Sequence, residues 1–459
     1  MDFRILDFDF NPVDTLDKFE SIIWSSRFLE AGDFELYTPV DQRILDDVRI
    51  GYYLFCDTFY NPTTDEADLM IIETMEITSD PQNGNKIRIL GRNLKSLLDR
   101  RIIWGQVAFK TSDMVSSVIT TLLNDNAINP PDWSKRYQDG GTGQYITVSV
   151  TGEQRKLPNL VYEEGEFEDV AIDGDYQYNG ETLYDTFVDM LGRFNLGWEV
   201  LYNFTTGKYV FRIKGEIDHT YNQNERNPLI FSPSFENLKN SNYIESSATE
   251  KNSGLITGEG DENNVMYNVI GGEYSGLGRK EMNISASDIS RKKDDGTEYG
   301  NRTYLGMLLT KGENELAQNI YTQTYEGTAE ATRGYVYLED YNIGDICEIV
   351  NEWGISSMVL ISEVVMSVSV NEVSTIPTFS AIEVGSTIVI TDITENHDFE
   401  GDTVTASTGT YSKSEDVRNG SAIIKTFMGV GAITITATNF QTTLVIESFG
   451  NYNVELNRQ

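Results

Sequence analysis

Histidine and cysteine are scarce in this sequence, whose 459 residues include only His219, His397, Cys56 and Cys347 of these two types. Two cysteines cannot form the disulfide framework of a small secreted domain, and they do not have the spacing of a zinc site. Neither histidine has a cysteine or a second histidine at metal-ligand spacing, so a surface position is the ordinary interpretation of both. We therefore expect no metal site, no cofactor site and no catalytic residue.

Basic residues are few, and long apolar runs are absent. Only 35 Lys and Arg stand against 72 Asp and Glu, so the formal net charge is −37. Such a surface repels phosphate, and sequence-specific nucleic-acid binding is not expected. No run reaches the ~18 apolar residues of a membrane helix, so no transmembrane segment is expected. Acids at the start of the chain do not fit a secretory signal, and we expect the chain to fold in a reducing cytosol.

The acids are densest between Glu163 and Asp175, where seven acids occur without a base. This run is typical of a solvated loop, but a surface that faces a lumen or a metal would have the same composition. The segment from Asp175 to Gly180 has the first oxygen ligands of a calcium loop. Position 12 of that loop is Thr186 in place of the required Glu, and calcium is not favoured.

The rest of the sequence has enough apolar material for a core, with 39% hydrophobic and 11% aromatic residues. Amphipathic helices are predicted over residues 112–126, over residues 179–191 with Asn179 as the N-cap, and from a capping box that begins at Thr310. Most other apolar runs are β-branched or aromatic and are bounded by Asn, Asp, Gly and Pro, which predicts strands. The predicted fold class is α+β and β-rich.

The composition changes near residue 381. Residues 386–459 are dominated by Thr, Ile, Val, Ser and Gly, in short stretches that alternate with period two. About 75 residues of closely spaced short strands predict a small immunoglobulin-like β-sandwich over residues 382–459.

One motif near the start is more specific than the rest: it runs from Ser21 through Trp24, Arg27 and Gly32 to Leu36, with Asp33-Phe34-Glu35 after the glycine. Gly32-Asp33 is a turn signal, so residues 21–39 are predicted to form a hairpin with Trp24 and Phe34 as apolar anchors. These anchors are expected to fill a core. Across the hairpin, Arg27 is placed to pair with Glu30 or Glu35.

This motif resembles the start of the tail-hub proteins of long-tailed phages, the tail-associated or baseplate-hub family. Later blocks that begin at Leu229, Asn268, Gly312 and Asp340 fit that family in the same order, so the resemblance covers about residues 1–381. It implies a baseplate-hub fold with two β-barrel-like domains and inserted α/β subdomains. The implied parts are a first β-barrel-like part over residues 1–98, an α/β insertion over 99–228 and a second β-barrel-like part over 229–381.

The resemblance also implies a homotrimeric ring. Three chains with two similar barrels each present six equivalent units, which match a six-fold tail tube or distal tail protein on one side. A three-fold spike or tail fibre would bind on the other side. Many relatives carry a peptidoglycan hydrolase after the hub, but this sequence has no hydrolase motif there, so that activity is not transferred.

We therefore expect a structural virion protein at the phage tail tip, made in the host cytoplasm, that lets DNA pass and supports host attachment and genome ejection. The alternatives are a carbohydrate-active enzyme and a saccharide-binding adhesin, each with an accessory β-sandwich. In the hub interpretation, host-surface saccharide is a candidate partner of the C-terminal sandwich. The sequence leaves open the tail type or injection device, the partner proteins, the host receptor and the role of the sandwich.

Overall fold

The protein is described by a computed structural model. It covers residues 2–456 except for residues 17, 81–83, 112, 143, 173, 222, 224, 261–263, 272–274, 294–295, 318, 320–321, 330–333, 354–355, 370–371, 382–385, 393–401, 408–411, 417–420, 428–430, 438–439 and 447–450. His397 lies outside the described residues. Within the described residues, no helix is both long and apolar enough to cross a membrane.

The first part of the chain is almost entirely strands. Its elements are β1 Phe3–Leu6, β2 Pro12–Thr15, β3 Ser21–Arg27, β4 Asp33–Pro39, α1 Gln42–Asp47, β5 Tyr53–Cys56, β6 Tyr60–Asn61, β7 Glu66–Ala67, β8 Met70–Asp80 and β9 Gly84–Asn93. A helical turn, Leu94–Arg100, follows β9. The strands β1, β3, β4, β5, β8 and β9 enclose a buried apolar cluster in which Trp24 and Phe34 are almost fully covered.

The next part adds helices that pack on a small sheet. Its elements are β10 Val107–Phe109, α2 Val115–Leu123, β11 Trp133–Gln138, β12 Tyr145–Val150, α3 Gly152–Arg155, β13 Leu160–Tyr162, β14 Tyr176–Tyr178, α4 Leu183–Arg193, β15 Gly197–Asn203, β16 Lys208–Lys214 and β17 Ile217–Asp218. The sheet has the order β13-β16-β15-β7-β6. Its core also includes residues of the first part, such as Phe55 and Leu98, so the predicted insertion shares a core with that part.

The third part combines long strands with one helix. Its elements are β18 Ile230–Phe231, β19 Leu238–Ser246, β20 Ser253–Gly258, β21 Tyr267–Ile270, β22 Glu281–Ala286, α5 Asn301–Ala317, β23 Thr322–Ala329, β24 Asp345–Val350, β25 Ser356–Ser369 and β26 Val373–Ala381. The helix α5 packs on a separate three-stranded sheet of order β21-β20-β22.

One sheet of fourteen strands joins the first and third parts, in the order β19-β23-β26-β25-β3-β4-β9-β8-β5-β1-β2. In addition, β24 pairs with β25, and β17 and β18 pair with β24. The strand β25 is the connection. Its first residues pair with β24, and Glu363–Ser369 pair with Arg27–Ser21 of β3. Two separate apolar clusters line this strand, one beside Val359 and Ile361 and one beside Met366 and Val368. The division into two barrels and its boundaries stay a prediction.

The last described strands form two sheets that share one apolar core. They are β27 Ser386–Asp392, β28 Thr403–Ser407, β29 Ser412–Asp416, β30 Ser421–Phe427, β31 Gly431–Ala437, β32 Phe440–Ile446 and β33 Asn451–Leu456. The sheet orders are β30-β27-β33 and β29-β28-β31-β32, and residues such as Ile388 and Ile433 lie buried between them. Two sheets on one core fit a β-sandwich, whereas the immunoglobulin-like assignment stays a prediction.

Two predicted helix starts are wrong. The third helix begins at Asn301, and Thr310 lies in its interior, where its hydroxyl donates to the carbonyl of Gly306 at 3.2 Å and does not cap the helix. The second helix is capped by Thr182, whose hydroxyl accepts from the Asp185 amide at 3.0 Å, so Asn179 is not its N-cap. In both cases the local sequence contains more than one polar residue with the chemistry of a cap.

Candidate functional site

The motif found in the sequence forms the hairpin β3–β4, in which Trp24 lies directly opposite Phe34. Trp24 also stacks on Phe59, with ring centroids 4.7 Å apart. Because both anchors are buried in the apolar cluster, the prediction that they fill a core is confirmed. The functional interest of the motif therefore lies in the loop between its strands, residues 28–32, which we call the junction loop.

A buried lysine holds the backbone of the junction loop. Lys95 is 2% exposed, and the three hydrogens of its ammonium are shared among four carbonyl oxygens at 2.9–3.4 Å, those of Arg27, Phe28, Leu29 and Glu30. It also lies 5.1 Å from the ring centroid of Trp198 in β15. A charged donor is one of the few groups that can satisfy so many buried carbonyls at once. Lys95 therefore fixes the path of the loop.

Burial shifts the titration of this lysine and of a nearby acid. It lowers the pKa of Lys95 to about 7, and the attraction of Asp68 opposes that change. Burial also raises the pKa of Asp68 to about 7. The Asn93 amide links this acid to the loop, because it donates to Asp68 at 3.4 Å and accepts from the Gly32 amide at 3.2 Å.

The ring of Phe28 inserts where the other two parts of the chain meet the loop. A Cβ atom at Gly197 of β15 would overlap this ring, and one at Gly344, before β24, would lie 2.6 Å from it. The backbone of Gly344 has φ +95°, a conformation that favours glycine. The Ala31 amide donates to the hydroxyl of Tyr184 in α4 at 2.9 Å. All three parts of the chain therefore meet at the five residues of the junction loop.

An arginine connects the junction loop to β25. The guanidinium of Arg27 donates to Glu363 at 2.7 Å and to the Ala31 carbonyl at 2.8 Å, and it forms an ion pair with Asp33 at 2.9 Å. The predicted pairing of Arg27 with Glu30 or Glu35 is wrong. Glu35 instead accepts from Arg88 at 2.5 Å across β4 and β9. The chosen partner Glu363 is 336 residues away in the sequence, so local spacing did not identify it.

The acidic run between Glu163 and Asp175 contributes to internal contacts. Glu163 pairs with Arg212 at 2.5 Å. Asp169 accepts from the amide and the hydroxyl of Ser116 at the start of α2. Carboxylates near a helix N-terminus are favoured by the helix dipole, so this contact stabilises α2. Asp175 accepts from Thr111 at 3.2 Å.

Three of the rare residues lie in the described part of the chain: His219, Cys56 and Cys347. The half-buried His219 has Nε2 3.8 Å from Asp345 and Nδ1 3.2 Å from the Asn227 carbonyl, so this side chain is partly exposed and also has partners within the fold. Burial raises the pKa of Asp345. Cys56 and Cys347 are both buried, and burial raises the pKa of Cys56 to about 11. In the described part of the chain, no three His, Cys, Asp or Glu side chains gather as a metal-binding group.

Comparison with known protein families shows which family the chain belongs to. The family model described as siphovirus ReqiPepy6 Gp37-like protein matches residues 2–379, more than four-fifths of the chain. The chain belongs to this siphovirus family. The match spans the region over which the sequence resembles phage tail-hub proteins, and it ends where the composition changes. A search of the curated proteins gave no match.

Three solved structures are similar to this family member. A tail protein from Neisseria meningitidis MC58 has 12% identity and a TM-score of 0.44, with 83% of this chain and 96% of that chain covered. The 43 kDa tail protein of prophage MuSo2 from Shewanella oneidensis has 12% identity and a TM-score of 0.44, covering 83% and 98%. A prophage tail protein from Listeria monocytogenes EGD-e has 13% identity and a TM-score of 0.41, covering 83% and 94%. These TM-scores are low, so the assignment rests on the family model.

The sequence predicted the hairpin of this chain but gave no prediction for the buried residues Lys95 and Asp68. The available signal was Lys95 itself, a single charge in the apolar stretch Leu94-Lys-Ser-Leu-Leu98. A lysine is almost never fully buried unless it is paired, so such a position indicates an internal partner. The partners are carbonyls of another segment, which no side-chain pattern reveals.

Proposed function

We propose that this chain is a tail-tip or baseplate hub with a structural role and no catalytic one. In this proposal three copies close into a ring that joins a six-fold tail tube or distal tail protein to a host-facing spike or fibre. DNA passes through the ring at ejection. The observation that carries the proposal is membership of the siphovirus family over residues 2–379.

The contacts around the junction loop support a structural role for this chain. A hub transmits position between partners, so its parts must not move independently. Here the strand β25 runs beside both apolar clusters, Arg27 joins the hairpin to Glu363 of β25, and Lys95 fixes the backbone of the junction loop. Specific side-chain networks of this kind fix one arrangement of packed elements. We expect the same internal arrangement in the free and the assembled protein.

Net charge supports passage of DNA. A trimer would carry a formal charge of −111, three times that of one chain. Acids that face a lumen repel the phosphate backbone over the ~8–10 Å Debye length of physiological salt, so DNA would not adhere on its way out. A trimer structure tests this directly: a neutral or basic lumen would contradict the proposal.

The ring itself is tested by mass in solution. Light scattering or native mass spectrometry of the full chain should give about 155 kDa, three times the 51.7 kDa chain. Negative-stain images should show three-fold rings. Recovery of monomers alone, with the distal tail protein also present, would contradict the hub.

A further inference from the structure

The hairpin β11–β12 is an arm whose two faces differ. The register pairs Trp133 with Val150, Lys135 with Val148 and Tyr137 with Ile146, and directly opposed residues point to the same side of a sheet. One face therefore carries five apolar side chains and one lysine. The opposite face carries Ser134, Ser149, Arg136, Thr147, Gln138 and Tyr145, and the Arg136 guanidinium lies 3.9 Å from the Tyr145 ring centroid.

The apolar face of this arm is open to solvent beyond its base. At the base, Trp133 packs against Trp104 with ring centroids 5.3 Å apart. Further out, Tyr137, Ile146 and Val148 are 56%, 58% and 51% exposed. Among the described strands, β11 and β12 pair only with each other. An isolated two-stranded hairpin is marginally stable in water, and one with an apolar face gains from a second sheet against it.

A second exposed apolar sheet face lies on the same chain. In the sheet β21-β20-β22, one side packs on α5 through Ile256 and Ile284. The other side presents Leu255, Tyr267 and Val269, which are 45–55% exposed. Leu255 lies directly opposite Val269, so these side chains form one surface, and the register with β22 places the exposed Glu281 on the same side.

We propose that the apolar face of the β11–β12 arm of one copy packs on the exposed β20–β21 face of the next copy. This inference rests on the trimeric ring proposed above. A cyclic trimer needs heterologous contacts, in which two different patches of one chain meet, and these two sheet faces are such a pair. Charge favours a second copy as the partner. The strands of the arm carry Lys135 and Arg136 and no acid, whereas the chain has a net charge of −37.

The size of the arm sets what its removal does. Each strand has six residues, so the face measures about 20 Å by 10 Å, or roughly 200 Å². A stable interface buries about 800 Å² on each partner, so the arm strengthens the ring without forming it alone. Weakening the arm should therefore raise the concentration at which trimers dissociate.

The test uses glutamate substitutions on both faces of the arm in the full-length protein. Ile146→Glu and Val148→Glu place a charge on the apolar face, and the matched controls Thr147→Glu and Ser149→Glu place the same charge on the polar face. Mass photometry over a dilution series gives the dissociation midpoint. The apolar-face pair should raise it by about tenfold or more, as expected for a charge placed in an apolar contact, and the controls by less than about threefold. Circular dichroism checks that all variants fold.

Crosslinking tests the contact separately from its strength. The double variant Ile146→Cys/Val269→Cys should form disulfide-linked dimers and trimers under mild oxidation, while each single variant should not. A wild-type monomer would overturn the ring together with the arm contact. A wild-type trimer whose midpoint changes equally with both glutamate pairs, or with neither, and whose double cysteine variant stays uncrosslinked, would overturn the arm contact alone.

Discussion

The contact between Arg27 and Glu363 offers a quantitative test of the junction. Both side chains are about one-quarter exposed, at 27% and 23%, and Nε lies 2.7 Å from the carboxylate. A hydrogen bond with a charged group contributes ~1.5–3 kcal/mol when buried, and partial exposure reduces this, so the coupling should be about 1–2 kcal/mol. Replacing Arg27 with Met also removes the contacts to Ala31 and Asp33, so that single change should cost about 2–3 kcal/mol.

A double-mutant cycle isolates the coupling. The variants are Arg27→Met, Glu363→Gln and the pair, and the measurement is hydrogen exchange in peptides that cover residues 21–27 and 363–369. Exchange reports local opening, so it does not require the whole chain to unfold in one step. Arg27→Met should reduce protection in both peptides by about thirtyfold or more, since each 1.4 kcal/mol corresponds to a factor of ten.

A matched ion pair provides the control for this cycle. Arg88 donates to Glu35 at 2.5 Å across β4 and β9, within the first part of the chain. Arg88→Met should leave protection of residues 363–369 unchanged, because this pair joins β4 and β9, and β3 lies between β4 and β25 in the sheet. A coupling between Arg27 and Glu363 below about 0.3 kcal/mol, the usual error of additivity for independent sites, would refute the role given to this contact.

Three further predictions concern the inside of the fold. Gly344→Ala should destabilise the protein by about 2–4 kcal/mol in urea unfolding, because the backbone at this position has a positive φ and an added Cβ would meet the ring of Phe28. An unchanged midpoint would contradict the close packing. Burial raises the pKa of Glu216 from 4.5 to about 7. The destabilisation that this buried carboxyl causes is therefore absent below pH 4.5, increases between pH 4.5 and 7, and reaches its maximum above pH 7. Glu216→Gln should therefore match wild type near pH 4 and be up to about 3 kcal/mol more stable above pH 7, and a constant difference across this range would count against the assignment. The buried thiols of Cys56 and Cys347 should react with a chromogenic disulfide reagent far more slowly at pH 8 than in urea, and fast labelling would show that they are accessible.

Local patterns in the sequence predicted local structure well. The hairpin predicted over residues 21–39 forms as β3 and β4, with Trp24 buried. Period-two alternation and turn residues encode these features within a few residues of each other. The start of α5 was misplaced because Thr310 has the chemistry of a cap and, inside a helix, satisfies its hydroxyl by donating to Gly306.

Local patterns did not predict the contacts of the junction loop. Arg27 has four acids within eight residues in the sequence, and it pairs with one of them, Asp33, together with the distant Glu363. Lys95 binds backbone carbonyls, which every residue possesses, so its partners have no signature in the sequence. Contacts between segments far apart in the chain are determined by how the sheet closes around the loop, and that information is spread over the whole fold.

The strand β25 has a mechanical consequence. Seven consecutive residue pairs join it to β3 in antiparallel register, from Glu363 with Arg27 to Ser369 with Ser21. If a pull on the carboxy-terminal half is directed along this strand, it loads the interstrand hydrogen bonds across their length in shear, because these bonds lie perpendicular to the strands. Bonds loaded in shear share the force and yield together, whereas bonds opened from one end yield one by one. The seven pairs between β3 and β25 should therefore resist a pull along β25 more strongly than a pull that opens them from one end.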